Sequence, residues 1–169
     1  MQRFFTSDLH ISHRAITKYR PDFLSPSHHD EFMIDSICKL PKRSLLFILG
    51  DFLFDSPDFD YKLNAILQCK CNIKLLLGNH CSTKLYSVSH PRLEVQLPLF
   101  SYKNLWLSHA PIHPNELRNR FGNVHGHLHL ETLSDPRYFN VNIDVNDYQF
   151  VPFERIQSHY KGRLIEPNP

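Results

Sequence analysis

The chain has 169 residues, 41% apolar and 21% charged, which fits a single globular domain with a substantial core. A net charge of +2 is too small to indicate nucleic-acid binding by electrostatics alone, and no apolar run approaches the length of a membrane span. Met1 to Phe5 lacks the long apolar region of a signal peptide, which predicts a cytoplasmic protein. Histidine is the anomaly, with 12 copies. The cysteines, Cys38, Cys69, Cys71 and Cys81, include one CxC but no paired CxxC of a zinc ribbon, and they read as reduced and structural.

Taken in order, Gln2 to Ser7 is a short strand that runs into the polar stretch Ser7-Asp8-Leu9-His10. A short helix to Tyr19 is broken by Arg20-Pro21-Asp22. Ser27 reads as an N-cap, with Asp30 and Glu31 in the first turn, where anions favour the helix dipole. Phe32, Met33, Ile34, Ile37 and Leu40 supply the apolar face of a helix over His28 to Lys39, and His28 and His29 are expected to be exposed at its start. Ser44 to Leu49 is continuously apolar, as in a strand buried on both faces, and ends at Gly50-Asp51. Asp58 to Cys69 is a helix. Asn72 to Leu77 is a second buried strand, ending at Gly78-Asn79-His80, with a short helix to Tyr86. Arg92 to Leu97 alternates as a half-buried strand, and Leu105 to Ser108 is another, ending at His109. Asn123-Val124-His125 leads into Gly126-His127-Leu128-His129. Tyr138 to Ile143 is the last strand, Pro152 to Tyr160 a closing helix, and Pro167-Asn168-Pro169 a loose end.

One pattern recurs: strand-like runs end in residues that can bind a hard or borderline metal. These are Asp8, His10, Asp51, Asn79, His80, His109, His127 and His129. Open α/β sheets place their sites at the C-terminal ends of strands. Carboxylate, imidazole and amide oxygen suit Mn²⁺, Fe, Ni²⁺, Zn²⁺ or Mg²⁺ rather than a thiolate-selective site.

The blocks DLH at Asp8, GD at Gly50, GNH at Gly78, the lone His109 and GHLH at Gly126 stand in an order that resembles the calcineurin-like metallophosphoesterases. FFTSDLHISH, RPDF, LGDF and HGHLH with FNVNIDV are similar to a small bacterial and phage branch of that superfamily. The resemblance implies an α/β (α+β) fold: a four-layer α-β-β-α sandwich of two mixed β-sheets flanked by helices, here a single domain over residues 1–169. It implies two divalent metal ions, manganese first among the candidates. Asp8, His10, Asp51 and His129 would hold one, and Asp51, Asn79, His109 and His127 the other. His80 would face the phosphate as the catalytic histidine, and a metal-bound hydroxide would attack in line. The substrate would be a small phosphomonoester or phosphodiester, nucleotide-like in kind. A nuclease of the same superfamily and a non-catalytic binding module remain as alternatives.

His13 and Arg14, just beyond DLH, and His113, near the mouth, are candidate substrate contacts. His125 is expected to pack within its strand, and Asp144 to be structural or to stand behind a ligating histidine. The sequence departs from the family at Cys81, where an acidic residue usually orients the histidine before it. A thiol is a weak acceptor, so His80 is expected to be held less firmly.

Overall fold

The computed structural model of the chain describes residues 1–161. Its strands are β1 (Arg3–Thr6), β2 (Leu45–Leu49), β3 (Asn72–Leu76), β4 (Leu93–Gln96), β5 (Leu99–Tyr102), β6 (Leu105–Ser108), β7 (Gly122–His125), β8 (Tyr138–Asn140) and β9 (Val151–Pro152). They form two mixed sheets, ordered β4-β3-β2-β1-β9 and β5-β6-β7-β8. In the first sheet β1 to β4 run parallel and β9 joins β1 antiparallel; in the second, β5 is antiparallel to β6 and the rest are parallel. The helices are α1 (Pro26–Cys38), α2 (Phe59–Gln68) and α3 (Phe153–Tyr160). The expected fold class holds.

The central strand β2 shows why. Leu45, Phe47 and Leu49 join one core cluster and Leu46 and Ile48 another, so alternate side chains fill both faces. On one side, Met33 and Ile37 of α1 and Leu63 and Ile66 of α2 share a cluster with Leu46, Ile48, Ile73 and Leu75. On the other, Phe5, Phe47 and Leu49 meet Leu105, Leu107 and Val124 of the second sheet, together with Phe153 and Ile156 of α3. Phe5 stacks on Phe47 with ring centroids 4.6 Å apart. Truncating either of these fully buried rings would cost about 3–5 kcal/mol.

Several local expectations are corrected. The N-cap of α1 is Ser25, not Ser27: its Oγ accepts from the His28 amide at 3.1 Å. The reason is Pro26, whose fixed φ and missing N–H suit the first helical position and move the cap back. His29 is fully buried rather than exposed, while His28 is exposed. Cys38 and Cys69 are joined in a disulfide linking the C-terminal ends of α1 and α2, and Cys71 and Cys81 are free. The two expected short helices are 3₁₀ turns, Ile16–Lys18 and Thr83–Ser87. Strands β5 and β9 had no reading in the sequence: β5 is short with alternating exposure, and β9 contains a proline that only an edge position tolerates. Pro167-Asn168-Pro169 lies outside the described residues. No helix among the described residues is long and apolar enough to cross a membrane.

Candidate metal centre

The parallel order of β1, β2 and β3 brings the residues after their C-terminal ends side by side. The Asp8 amide donates to the Gly50 carbonyl at 3.0 Å and the His10 amide to the Asp51 carbonyl at 2.9 Å, so the DLH and GD turns are laced together. The second sheet is tied to the same edge. Gly126 N donates to His109 O at 2.8 Å, and the His127 amide donates to Asp8 Oδ2 at 2.9 Å.

Turning the chain back over this edge requires unusual backbone. Asp8 (φ 59°), His10 (50°), Asp51 (47°), His127 (70°) and His129 (49°) all lie in the left-handed region without being glycine. Each costs on the order of 1–2 kcal/mol. Such strain persists only where the surroundings over-determine it, and it clusters at functional sites. Two glycines make the approach possible. A Cβ on Gly50, at φ +95°, would run into the His109 ring, and one on Gly126 would run into Ser7 Oγ and Asp8 Oδ2.

Two overlapping groups can each hold a metal ion: Asp8, His10 and His129, and Asp8, Asp51 and His109. In each, the ligand atoms lie within 4.8 Å of one another. Asp51 lies between the two histidine clusters. Its Oδ1 accepts from the His80 amide at 2.9 Å, and its Oδ2 is 3.8 Å from His10 Nε2 and 3.4 Å from His109 Nε2. His109 Nε2 is also 2.9 Å from Asn79 Oδ1 and 3.2 Å from His127 Nδ1. All seven residues expected as ligands are therefore brought to one place.

The donor chemistry suits a cation. His109 Nδ1 donates to the Leu49 carbonyl at 2.9 Å, which leaves Nε2 as the nitrogen turned toward Asp51, Asn79 and His127. Asp51 Oδ2 and Asn79 Oδ1 are acceptors facing this nitrogen, and a proton or a cation between them reconciles the contact. Asp8 Oδ1 and both ring nitrogens of His10 are buried without a hydrogen-bond partner among the described residues. Orphaned buried groups of this kind cost about 1–3 kcal/mol each, and a bound ion would satisfy them.

The electrostatics follow from burial and partners. Burial raises the Asp8 carboxyl, despite the opposing pull of its hydrogen bonds and nearby imidazoles. Burial lowers His10 strongly and so keeps it neutral, the form that ligates. Burial, the largest single influence, would raise Asp51, but the hydrogen bond and charge of His109, the His80 amide and the His10 charge together outweigh it and hold the group below the usual carboxylate range. Burial opposes protonation of His109, yet the same Asp51 contact raises it. His129 is raised by its hydrogen bond to Asp144, whose Oδ2 lies 2.8 Å from Nδ1. That bond turns Nε2 of His129 toward the site, the support a carboxylate behind a histidine supplies.

His80 is exposed, and its ring stacks on Phe54 with centroids 5.6 Å apart and planes 8° apart. Cys81 does not substitute for the usual acidic partner. Its Sγ accepts from the Phe52 and Gly78 amides, both at 3.4 Å, and so pins the GD turn to the GNH turn. Among the remaining candidates, His13 lines a cleft of about 760 Å³ beside the centre, together with His10, His80 and His129. Arg14 is exposed and is not among the residues lining that cleft. His113 is exposed as well, and its Nδ1 accepts from the Asn115 amide as the cap of a 3₁₀ turn.

Sequence reasoning missed Arg20, read only as part of a helix break. Its guanidinium bonds both oxygens of Asp144 at 2.7 and 3.1 Å, the Asp8 carbonyl at 2.6 Å and the Leu9 carbonyl at 3.2 Å. Its Nη1 lies 2.8 Å from His29 Nε2. No local signal could have revealed this, because Arg20 and Asp144 are 124 residues apart. Arg20 thus holds the strained Asp8 turn from behind and fixes the carboxylate that orients His129.

The profile of the calcineurin-like phosphoesterases matches residues 1–165. The chain belongs to that family. As a calcineurin-like phosphoesterase it is a metallophosphoesterase. It is similar to the Gene 66 protein of Mycobacterium phage D29, 27% identical over 91% of this chain and 93% of that protein. The fold matches AQ665 of Aquifex aeolicus, a protein of unknown function, with TM-score 0.70 and 21% identity, covering 93% of this chain and 98% of that one. A more distant match is the Pseudomonas putida nuclease MPE, with TM-score 0.44 and 22% identity over 75% of this chain and 61% of that one.

Proposed function

We infer that this phosphoesterase is a single-domain, dinuclear enzyme hydrolysing phosphomonoesters or phosphodiesters of small, nucleotide-like substrates. The observation that carries the reading is the pair of overlapping donor groups around Asp8 and Asp51, with Asp8 Oδ1 and His10 Nε2 buried and unpartnered. Asp8, His10, Asp51 and His129 would hold one ion and Asp51, Asn79, His109 and His127 the other, with Asp51 common to both. The oxygen and nitrogen donors accept manganese, iron, nickel, zinc or magnesium, and we place manganese first. The bound ions would supply Lewis acidity, activating water and neutralising phosphoryl charge. The chain's own groups do the rest. His80, held at the mouth by its stack on Phe54 and its amide bond to Asp51, faces the phosphate and stabilises the transition state or protonates the leaving oxygen. Asp144 and Arg20 keep His129 aimed.

The test is Asp51→Asn, assayed for metal content by mass spectrometry and for hydrolysis of bis(p-nitrophenyl) phosphate with Mn²⁺. Outer partners of metal sites are typically worth about 10–100-fold, so loss of a shared ligand should lower turnover by more than about a hundredfold and reduce the bound metal. Wild-type-like turnover by this variant would remove the shared role of Asp51.

A further inference from the structure

The cleft beside the metal centre is lined unevenly. From His80 a run of rings leads outward: Phe54 stacked on His80, His13 with its centroid 5.0 Å from Phe54, and Tyr19 5.8 Å from His13. Tyr19 is 75% exposed and Leu130 is 76% exposed, and both line the cleft. Large apolar side chains left in solvent around a concave site mark a binding surface rather than a core.

The charges point the same way. Asp22 and Asp147 line the cleft, both exposed and without an ion-pair partner among the described residues. Among those lining residues the only lysine or arginine is Arg20, which is 2% exposed and has its donors committed to Asp144 and the Asp8 and Leu9 carbonyls. A second phosphate entering here, beyond the reach of His80, would meet the Asp22 and Asp147 carboxylates and no uncommitted lysine or arginine. A flat, uncharged ring would find exposed aromatic surface at His80 and Tyr19 to pack on.

We propose that this cleft seats the second substituent of the phosphate ester and selects a planar aromatic group, such as a nucleobase, that carries no further phosphate. This rests on the phosphoesterase reading above.

The experiment compares p-nitrophenyl phosphodiesters that share one leaving group. Their second substituent is methyl, phenyl, 5′-thymidyl, or 5′-thymidyl bearing an added 3′-phosphate. Each kcat/KM with Mn²⁺ is divided by the ester's uncatalysed rate. The phenyl and thymidyl esters should exceed the methyl ester by about tenfold or more, and the added phosphate should cost several-fold. Tyr19→Ala should shrink the aromatic-to-methyl ratio toward one, and Tyr19→Phe should retain it. Asp22→Asn combined with Asp147→Asn should relieve the penalty of the added phosphate. Turnover of all esters at a normalised ratio near one overturns the aromatic selection and leaves the phosphoesterase reading standing. Preference for the doubly phosphorylated ester overturns the single-phosphate requirement. Failure to turn over any of these diesters while p-nitrophenyl phosphate is hydrolysed overturns this inference and leaves the phosphoesterase reading standing on monoesters; failure on p-nitrophenyl phosphate as well overturns both.

Discussion

Arg20→Met is the most informative single change away from the proposed ligands. Methionine keeps much of the side-chain length and apolar stem but removes every donor. The Asp144 carboxylate, with a side chain only 10% exposed, would lose two of its charge-assisted bonds, and the Asp8 and Leu9 carbonyls would each lose a donor. Removing one partner of a buried ion pair typically costs about 3–5 kcal/mol. Asp144 retains some contact with water and keeps its bond to His129, which places the expected loss near the lower end, about 3 kcal/mol. In a chain of this size that corresponds to a fall of roughly 6–12 °C in Tm. The assay is urea unfolding of four proteins: wild type, Arg20→Met, Asp144→Asn and the double variant. Because the residues are in direct contact, the double variant should lose less than the sum of the singles by at least about 1 kcal/mol. A loss under about 1 kcal/mol for Arg20→Met, or strict additivity, would refute the argument that the guanidinium and carboxylate hold the site as one unit.

Other outcomes follow from the same geometry. Gly126→Ala places a methyl against Ser7 Oγ and Asp8 Oδ2, so bound metal, measured by mass spectrometry, should fall while circular dichroism retains the fold; undiminished metal content would show that the Asp8 turn is not held by this approach. Cys81→Ala leaves the Phe52 and Gly78 amides without their acceptor, a loss of about 1–3 kcal/mol read from denaturant midpoints, and an unchanged midpoint would deny the sulfur its role between the two turns. The Cys38–Cys69 disulfide closes a separation of 31 residues, so dithiothreitol should lower stability by about 3–4 kcal/mol. No shift on reduction, with a thiol count of four beforehand, would mean that the pair is open in solution.

The sequence by itself determined which residues of metal-ligating type the fold gathers at one edge. The polar residues after strand-like runs are legible because buried parallel strands read as unbroken apolar runs, and the residue types that ligate metals are few. For the same reason the strands β1, β2, β3 and β6 and the helices α1 and α2 could be read locally. Tertiary structure alone decided what stands behind those residues. The support of Asp8 and His129 comes from Arg20, whose partner Asp144 lies 124 residues away, and a pairing at that distance leaves no periodicity or spacing to read. The left-handed backbone at Asp8, His10, Asp51, His127 and His129 is likewise invisible in residue type, because the bonds that hold these turns join segments far apart in the chain. His29 looked like a solvated residue at a helix start, and packing against Arg20 buried it. Cys81 looked like a missing support for His80; the fold instead turned its sulfur to two backbone amides and left the ring to Phe54.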